Sequence, residues 1–301
     1  MAKAYILYNL SAGYKTSCDD IELLQVILYD EPVFVEITKI KDYRVFLGGL
    51  DPEDCIVLCG GDGTLNRFIN AADGISFDNE VLYYPIGTGN DFAKELGHEK
   101  GCTPFPITDY IKNLPVVTVK GRQYRFLNGV GYGIDGYCCE VGDALKKETD
   151  KPVSYTAIAI KGLLFHYKPT AAAVTVDGVT HTYKKVWIAP TMIGRYYGGG
   201  MIPAPHQNRN NAAHTVSVAV LHDSGKLKTL CVFPSIFKGE HIRHTEMTDV
   251  FTGHEITVAF DRPRPLQIDG ETIAGVMEYT VHAGTPTQEE VRTSASMPRI
   301  R

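Results

Sequence analysis

The stretch Asp54–Ala72, DCIVLCGGDGTLNRFINAA, runs from an apolar segment through a cluster of glycines into a helical pattern. Glycines permit positive φ and let backbone N–H groups come close to an oxyanion. A helix starting at Thr64 adds its positive end, and such a nest of amides holds phosphate without a lysine. The design returns after the next apolar run. In PIGTGNDFA, Pro85–Ala93, Gly87 and Gly89 flank Thr88, and Asn90 or Asp91 is placed to cap the following helix. Adjacent parallel strands would set both turns at one sheet edge, facing one ligand. Neither turn carries GxxxxGK[ST] or GxGxxG. One glycine turn after a strand is common; two in succession, each with an aspartate, point to a shared site. Asp62 is the unusual residue, because a carboxylate beside phosphates repels them unless a cation lies between or it takes up a proton.

The surrounding pattern sets the fold class. In the first third, AYILYN, VFVEIT, CIVLC and VLYYPIG read as strands, and DDIELLQVILYD, TLNRFINAA and NDFAKELG read as helices between them. That alternation predicts an α/β domain with a mainly parallel sheet and ligands outside the carboxyl ends of its strands. From about Pro115 the period changes to two, in PVVTVKGRQYRFLNGVG, AAAVTVDGVTHTYKKVWIAP, HTVSVAVL, HEITVAF and VMEYTVHA. That is a mostly antiparallel β domain, interrupted by helices expected over Tyr137–Glu148 and Ser154–His166. The expected division is residues 1–118, an α/β domain carrying the phosphate-type turns; 119–284, a β-rich domain; and 285–301, a polar tail that is loose or packs back on the first domain. A cleft between the lobes is the expected site.

The chain has 301 residues, of which 44% are hydrophobic and 22% charged, and a formal net charge of -5. That balance attracts neither nucleic acid nor an anionic membrane as a whole, so lipid contact needs a local patch. The N-terminal run lacks the apolar core and cleavage site of a signal peptide, and no run approaches the ~20 apolar residues of a membrane span. Seven cysteines without a CxxC pair fit a reduced, cytoplasmic chain, and zinc is not expected.

GGDGTLN and PIGTGNDFA together resemble the catalytic domain of the diacylglycerol kinase-type lipid kinases, a group that includes bacterial diacylglycerol kinases and the sphingosine and ceramide kinases. NGVGYGIDG, YTAIAIKGLLFHYKP, GRYYGGGMIPAP and QIDGE are similar to further motifs of that family, in order, from about Tyr5 to Val281. NAD kinases share only the GGDG turn. The resemblance implies ATP and magnesium in the cleft and a lipid acceptor at a membrane surface, with peripheral attachment and a homodimer as an open alternative. It places nucleotide contacts on Asn9, Ser11, Gly13, Thr38, Gly60, Gly61, Asp62, Gly63, Thr64, Asn66, Gly87, Thr88, Asn90 and Asp91. Acid–base chemistry falls on Asp269 and Glu271, with Glu271 preferred as the base and Asp62 next in line. Asp62, Asp91 and Asp135 fall among acidic residues near the metal. The implied reaction is γ-phosphoryl transfer to a lipid hydroxyl, with diacylglycerol giving phosphatidic acid; a sphingoid base, prenol or glycolipid presents the same group. Two departures stand out. Leu10 follows Asn9 where the family has proline, and HQNRNNAAH places Asn211 where an aspartate would hold a structural magnesium. An uncharged amide is a weak ligand for a hard dication. That second departure keeps a non-catalytic nucleotide- or lipid-binding relative as the alternative.

Three other features compete for attention. GYGIDG, Gly131–Gly136, matches GxGxxG but sits within the β-rich part without a βαβ unit, and reads as a tight strand-to-helix turn. His241 and His244 have metal-like spacing but no third ligand, so solvated histidines are expected. Trp187 reads as core. The lysines from Lys146 to Lys168 around the apolar mid-chain helix are the expected membrane-facing patch.

Overall fold

The computed structural model describes residues 2–9, 32–148, 158, 161–162 and 167–284. Its first sheet contains β1 (Ala4–Tyr8), β2 (Pro32–Glu36), β3 (Cys55–Gly60), β4 (Glu80–Pro85) and β5 (Phe105–Pro106), in the order β2-β1-β3-β4-β5. The first four are parallel, with Leu7 beside Leu58 and Leu58 beside Tyr83, and β5 is antiparallel to β4. Alternation along these strands sorts the core. Leu7, Ile56, Leu58, Val81 and Tyr83 pack on one face with Phe68 and Phe92, while Ile6, Val57, Cys59, Leu82 and Tyr84 cluster separately. Burial on both faces is why these strands read as apolar runs rather than as alternating ones. The helices are α1 (Tyr43–Gly48), whose start is capped by Asp42, then α2 (Asp62–Ala71), α3 (Asp91–Glu95) and the single turn α4 (Thr108–Ile111). The helix expected over Asp19–Asp30 lies outside the described residues.

The chain enters the second sheet at Val116, two residues ahead of the expected boundary at 118. There β6 (Val116–Val119) pairs with β7 (Arg122–Arg125) and with β15 (Glu271–His282). The remaining strands are β8 (Gly129–Tyr132), β9 (Thr170–Val176), β10 (Val179–Ile188), β11 (Thr191–Met192), β12 (Val216–His222), β13 (Thr248–Gly253) and β14 (Glu255–Ile268). All pair antiparallel. The long β14 joins β8 through Leu266–Ile268 and β9 through Ile256–Phe260, so the sheet closes around a core that includes Val130, Tyr132, Val174, Val218, Val258 and Tyr279. Between β8 and α5 (Ile134–Glu148), GYGIDG makes the tight turn expected of it. Gly133 has φ 118°, and a Cβ on Gly136 would fall 2.0 Å from the Pro265 carbonyl oxygen. Trp187 is buried, its indole N–H donating to Ser224 O. No described helix is long and apolar enough to cross a membrane. Among the described residues Cys55, Cys59, Cys102, Cys138, Cys139 and Cys231 form no disulfide.

Candidate active site

The carboxyl ends of the parallel strands bring the sequence-predicted residues to one edge. Asn9 follows β1, Thr38 sits in the 3-10 turn after β2, and the glycine turns follow β3 and β4. Ser11 and Gly13 lie outside the described residues. The two turns are built against each other. Ile86 and Gly87 N–H donate to Gly60 O at 3.0 and 3.1 Å, and a Cβ on Gly87 would lie 2.3 Å from Gly61 Cα. Glycine is therefore required here first by backbone-on-backbone packing. Asn90 adopts φ 51° and folds its amide onto Gly87 O at 2.8 Å, closing the second turn. On the open side, Gly63, Thr88 and Gly89 are exposed, α2 starts without a side-chain cap, and the buried Thr64 Oγ1 has no hydrogen-bond partner. Uncapped N–H groups at a helix start beside an unpartnered hydroxyl form a cradle suited to phosphate oxygens.

Asp62 does not project freely into that cradle. Its Oδ2 accepts Asp91 N–H at 2.9 Å, and its Oδ1 accepts Phe92 N–H and the Asn128 amide, both at 3.0 Å. It caps α3 from the neighbouring turn, a role the sequence reading had given to Asn90 or Asp91. Asp91 is buried beside it, with Oδ2 accepting Gly199 N–H at 2.7 Å and Oδ1 lacking a partner. Burial, and then the charge of Asp62, push the Asp91 carboxyl up to about 7. Lys94, one turn along α3, opposes that shift and lies 5.0 Å from the Tyr196 ring centre.

The β14–β15 turn brings Asp269 to the lobe junction. Asp269 and Gly270 both have positive φ, 46° and 96°, which is the geometry of a two-residue hairpin. Gly270 is exposed, but Asp269 is turned inward and buried. Asp269 Oδ2 accepts Leu127 N–H at 2.6 Å and Asn66 Nδ2 at 2.9 Å, and Oδ1 accepts Asn128 and Gly129 N–H at 2.8 and 3.0 Å. Burial raises its pKa and these four donors oppose the rise. Every partner is a donor, so the carboxylate form is the one the site fits. Asp269 is thus a tie between lobes, not a base open to substrate. Asn66, expected at the nucleotide, is committed to the same tie. Beneath it lies Arg209, half-buried with its Nε and Nη1 turned away from solvent, Nη2 donating to Leu127 O at 2.5 Å and its guanidinium 4.7 Å over the Phe92 ring. Desolvation lowers its pKa to about 10, while Glu95, Asp269 and Asp62 favour its charge.

Glu271 is placed differently. It is exposed, and a Cβ on Gly63 would stand 3.7 Å from its Oε1. The two line a cavity of about 350 Å3 together with Asn66, Arg67, Asn70, Tyr124, Ile268 and Ile273. A carboxylate at the mouth of a phosphate cradle, inside an open cavity, can take a proton from an incoming hydroxyl.

The residues fit a magnesium carried by a nucleotide better than one held by protein alone. Asp91 offers an unpartnered oxygen, and Asp62 Oδ2 accepts the Asp91 N–H. Mg2+ is commonly held by one or two carboxylates plus phosphates. Among the described residues no three acidic, histidine or cysteine side chains converge on a metal position. The Asn211 turn does not fit one either. Asn211 Nδ2 donates to Asn208 O at 2.7 Å and Thr215 O at 3.1 Å, and its Oδ1 accepts from Thr215 N and Oγ1. The amide closes the turn by itself. Asp135 lies in the first turn of α5, and its side chain is outside those described. His241 is buried rather than solvated, its Nε2 donating to Pro203 O at 2.9 Å. Arg67, Lys94, Asn128 and Arg209 were not among the expected site residues, although Asn128 opens the NGVGYGIDG motif and Arg209 lies in HQNRNNAAH.

Comparisons with known proteins speak to the family and the fold. Residues 3–116 match the family described as diacylglycerol kinase catalytic domain, and residues 128–286 match the YegS C-terminal NAD kinase beta sandwich-like domain. The chain is 24% identical over 278 residues to the Bacillus subtilis (strain 168) protein named "Putative lipid kinase YtlR", covering 86% of this chain and 84% of that one. It is 23% identical over 217 residues to the Mycobacterium tuberculosis (strain ATCC 25618 / H37Rv) protein named "Diacylglycerol kinase", covering 70% and 67%. The fold resembles that of a structure from Bacillus anthracis str. Sterne described as "a putative diacylglycerol kinase", with TM-score 0.64, 17% identity and 93% coverage of both chains.

Proposed function

The chain belongs to the diacylglycerol kinase catalytic-domain family, with a YegS-type β sandwich as its second domain, and from that premise we propose that it is an ATP-dependent lipid kinase. The observation that carries the reading is Glu271 standing beside Gly63 at the mouth of the glycine cradle. Backbone N–H groups at the start of α2, with Thr64 and Thr88, would bind the oxygens of the triphosphate. When bound with the nucleotide, magnesium would neutralise phosphate charge, and Asp91 and Asp62 are the side chains that would hold it. Glu271 would accept the proton of the lipid hydroxyl as its oxygen bonds to the γ-phosphorus and the bond to the β-phosphate oxygen breaks, leaving ADP. Phosphoryl transfer depends chiefly on positioning and charge neutralisation. Asp269 contributes the positioning: its anchor on Leu127–Gly129 holds Glu271, two residues on, against the first turn.

Diacylglycerol, giving phosphatidic acid, is the acceptor we favour, presented by a membrane to which the protein binds peripherally. Incubating the protein with labelled ATP, magnesium and a total lipid extract, then weighing the labelled product, tests this. Label in phosphatidic acid is the expected outcome, and label in another phospholipid would change the acceptor alone. ATP binding without transfer to any lipid would favour a non-catalytic relative.

A further inference from the structure

α6 (Lys226–Val232) continues without a break into a 3-10 helix, Phe233–Lys238, and this rod is apolar on two opposite sides. Its inner side is buried: Thr229, Val232, Phe233 and Ile236 are no more than 6% exposed. Its outer side presents Leu227, 77% exposed, Phe237, 36% exposed, and between them the exposed Cys231 and Pro234. Positions i, i+4, i+7 and i+10 fall on one helical face, so these four form a stripe. Lys226, Lys228 and Lys238 are exposed beside it. From Lys226 to Glu246 the chain has four Lys or Arg against two Glu, a net of +2, whereas the whole chain carries -5. The Lys228–Glu246 pair at 2.7 Å and the Arg243–Glu240 pair at 3.6 Å in this segment are between largely exposed side chains and leave the sign of the patch unchanged.

The rod is also fixed to the candidate active site. Ile202 N–H donates to Ile236 O at 2.9 Å, and His241 Nε2 donates to Pro203 O at 2.9 Å. Gly239, at φ 69°, leaves room for Pro205, which a Cβ there would approach to 2.8 Å. The same loop supplies Gly199 N–H to Asp91 and Arg195 to Glu95. A surface that rests against the face of the rod is therefore linked through one loop to the second glycine turn.

We propose that the Leu227–Phe237 face docks onto an anionic lipid bilayer, its apolar stripe entering the headgroup boundary and its lysines facing anionic headgroups. An apolar stripe bordered by lysines is the pattern of an interfacial helix, and local positive charge in an acidic chain makes such docking dependent on anionic lipid. The choice of a bilayer as occupant rests on the lipid-kinase reading, whereas the docking itself is measured without catalysis. This places the membrane contact on α6 and the following turn; the lysines earlier expected to make it, from Lys146 to Lys168, fall mostly outside the described side chains.

The test is co-sedimentation of the full chain with vesicles of phosphatidylcholine alone, or of phosphatidylcholine with one-third phosphatidylglycerol, at low and high salt. Wild type should sediment with the mixed vesicles at low salt and be released by high salt. Leu227→Glu/Phe237→Glu, changed at exposed positions, should keep the wild-type melting temperature and lose roughly tenfold or more in vesicle affinity. Lys226→Glu/Lys238→Glu should lose the preference for phosphatidylglycerol. Equal sedimentation of wild type and both variants would overturn the proposal. So would a wild-type dimer that the Leu227→Glu/Phe237→Glu change dissociates, since the face would then belong to a second copy of the chain. Phosphorylation of a detergent-dispersed acceptor reports separately on the kinase: the docking variants should retain it, and its absence in wild type would count against the kinase reading alone.

Discussion

Three aspartates that look alike in the sequence do three different things in the structure. Asp269, read as half of a DGE acid–base pair, is saturated by four donors. Asp269→Asn turns an amide N–H2 toward groups that only donate. Losing buried hydrogen bonds to a charged group in this way should cost about 3 kcal/mol. Urea unfolding should show that loss in Asp269→Asn and none in Glu271→Gln; equal stability of the two variants would remove the tie. Asp62, the carboxylate that seemed out of place beside phosphates, is the cap of α3. Asp91 has the pKa raised to about 7 by burial and by Asp62. The sign follows directly: folded Asp91 binds its proton more tightly than the unfolded chain does. Stability of the ligand-free protein should therefore fall as pH rises from about 4 to about 7. Asp91→Asn should flatten that decline in a series of thermal melts. A wild-type profile that rises over the same window, unchanged by the substitution, would contradict the assignment. None of these roles was legible from residue type, because each depends on N–H groups supplied from distant segments, Leu127–Gly129 to Asp269 and Gly199 to Asp91.

At the scale of elements, the glycine turns were legible because strand, glycine and helix are local signals. What the sequence did not reveal is that the turns touch each other. Gly61→Val does not isolate the phosphate site, because a Cβ there meets Gly87 Cα at 3.1 Å and the substitution would also displace the second turn. Gly63→Val is the cleaner change, since its Cβ would face only Glu271 at 3.7 Å. It should keep the wild-type melting temperature while ATP binding by calorimetry falls below detection; undiminished binding would mean the cradle lies elsewhere. The Asn211 turn is a second case. An aspartate there would set a carboxylate oxygen against Asn208 O, where Nδ2 now donates at 2.7 Å. Asn211→Asp should be less stable than wild type in chelator and recover with added magnesium, whereas the melting temperature of ligand-free wild type should not respond to magnesium. A magnesium-dependent rise in wild type would show a metal site that the amide was thought to replace. The loss of an acidic ligand was readable in HQNRNNAAH; that Arg209, two residues earlier, turns its guanidinium into the lobe junction was not.

At the scale of the molecule, the change of hydrophobic period near Pro115 correctly separated a parallel α/β lobe from an antiparallel β lobe, because Val-rich runs and alternating strands differ in the sequence itself. The junction between the lobes was invisible, since it is made by pairs far apart in the chain such as Asn66 with Asp269 and Asp62 with Asn128. That junction brings the two halves of the proposed chemistry together: the cradle belongs to the first lobe and Glu271 to the second. The central claim is therefore that Glu271 acts as the base on a hydroxyl aligned with phosphate held by the glycine turns. Single-turnover transfer of labelled γ-phosphate to lipid, measured for wild type and Glu271→Gln at matched ATP occupancy, tests it most directly. Glu271→Gln should bind ATP nearly as wild type does and transfer phosphate ~10²- to 10⁴-fold more slowly, the usual loss on removing a general base. Transfer by Glu271→Gln at the wild-type rate would contradict it.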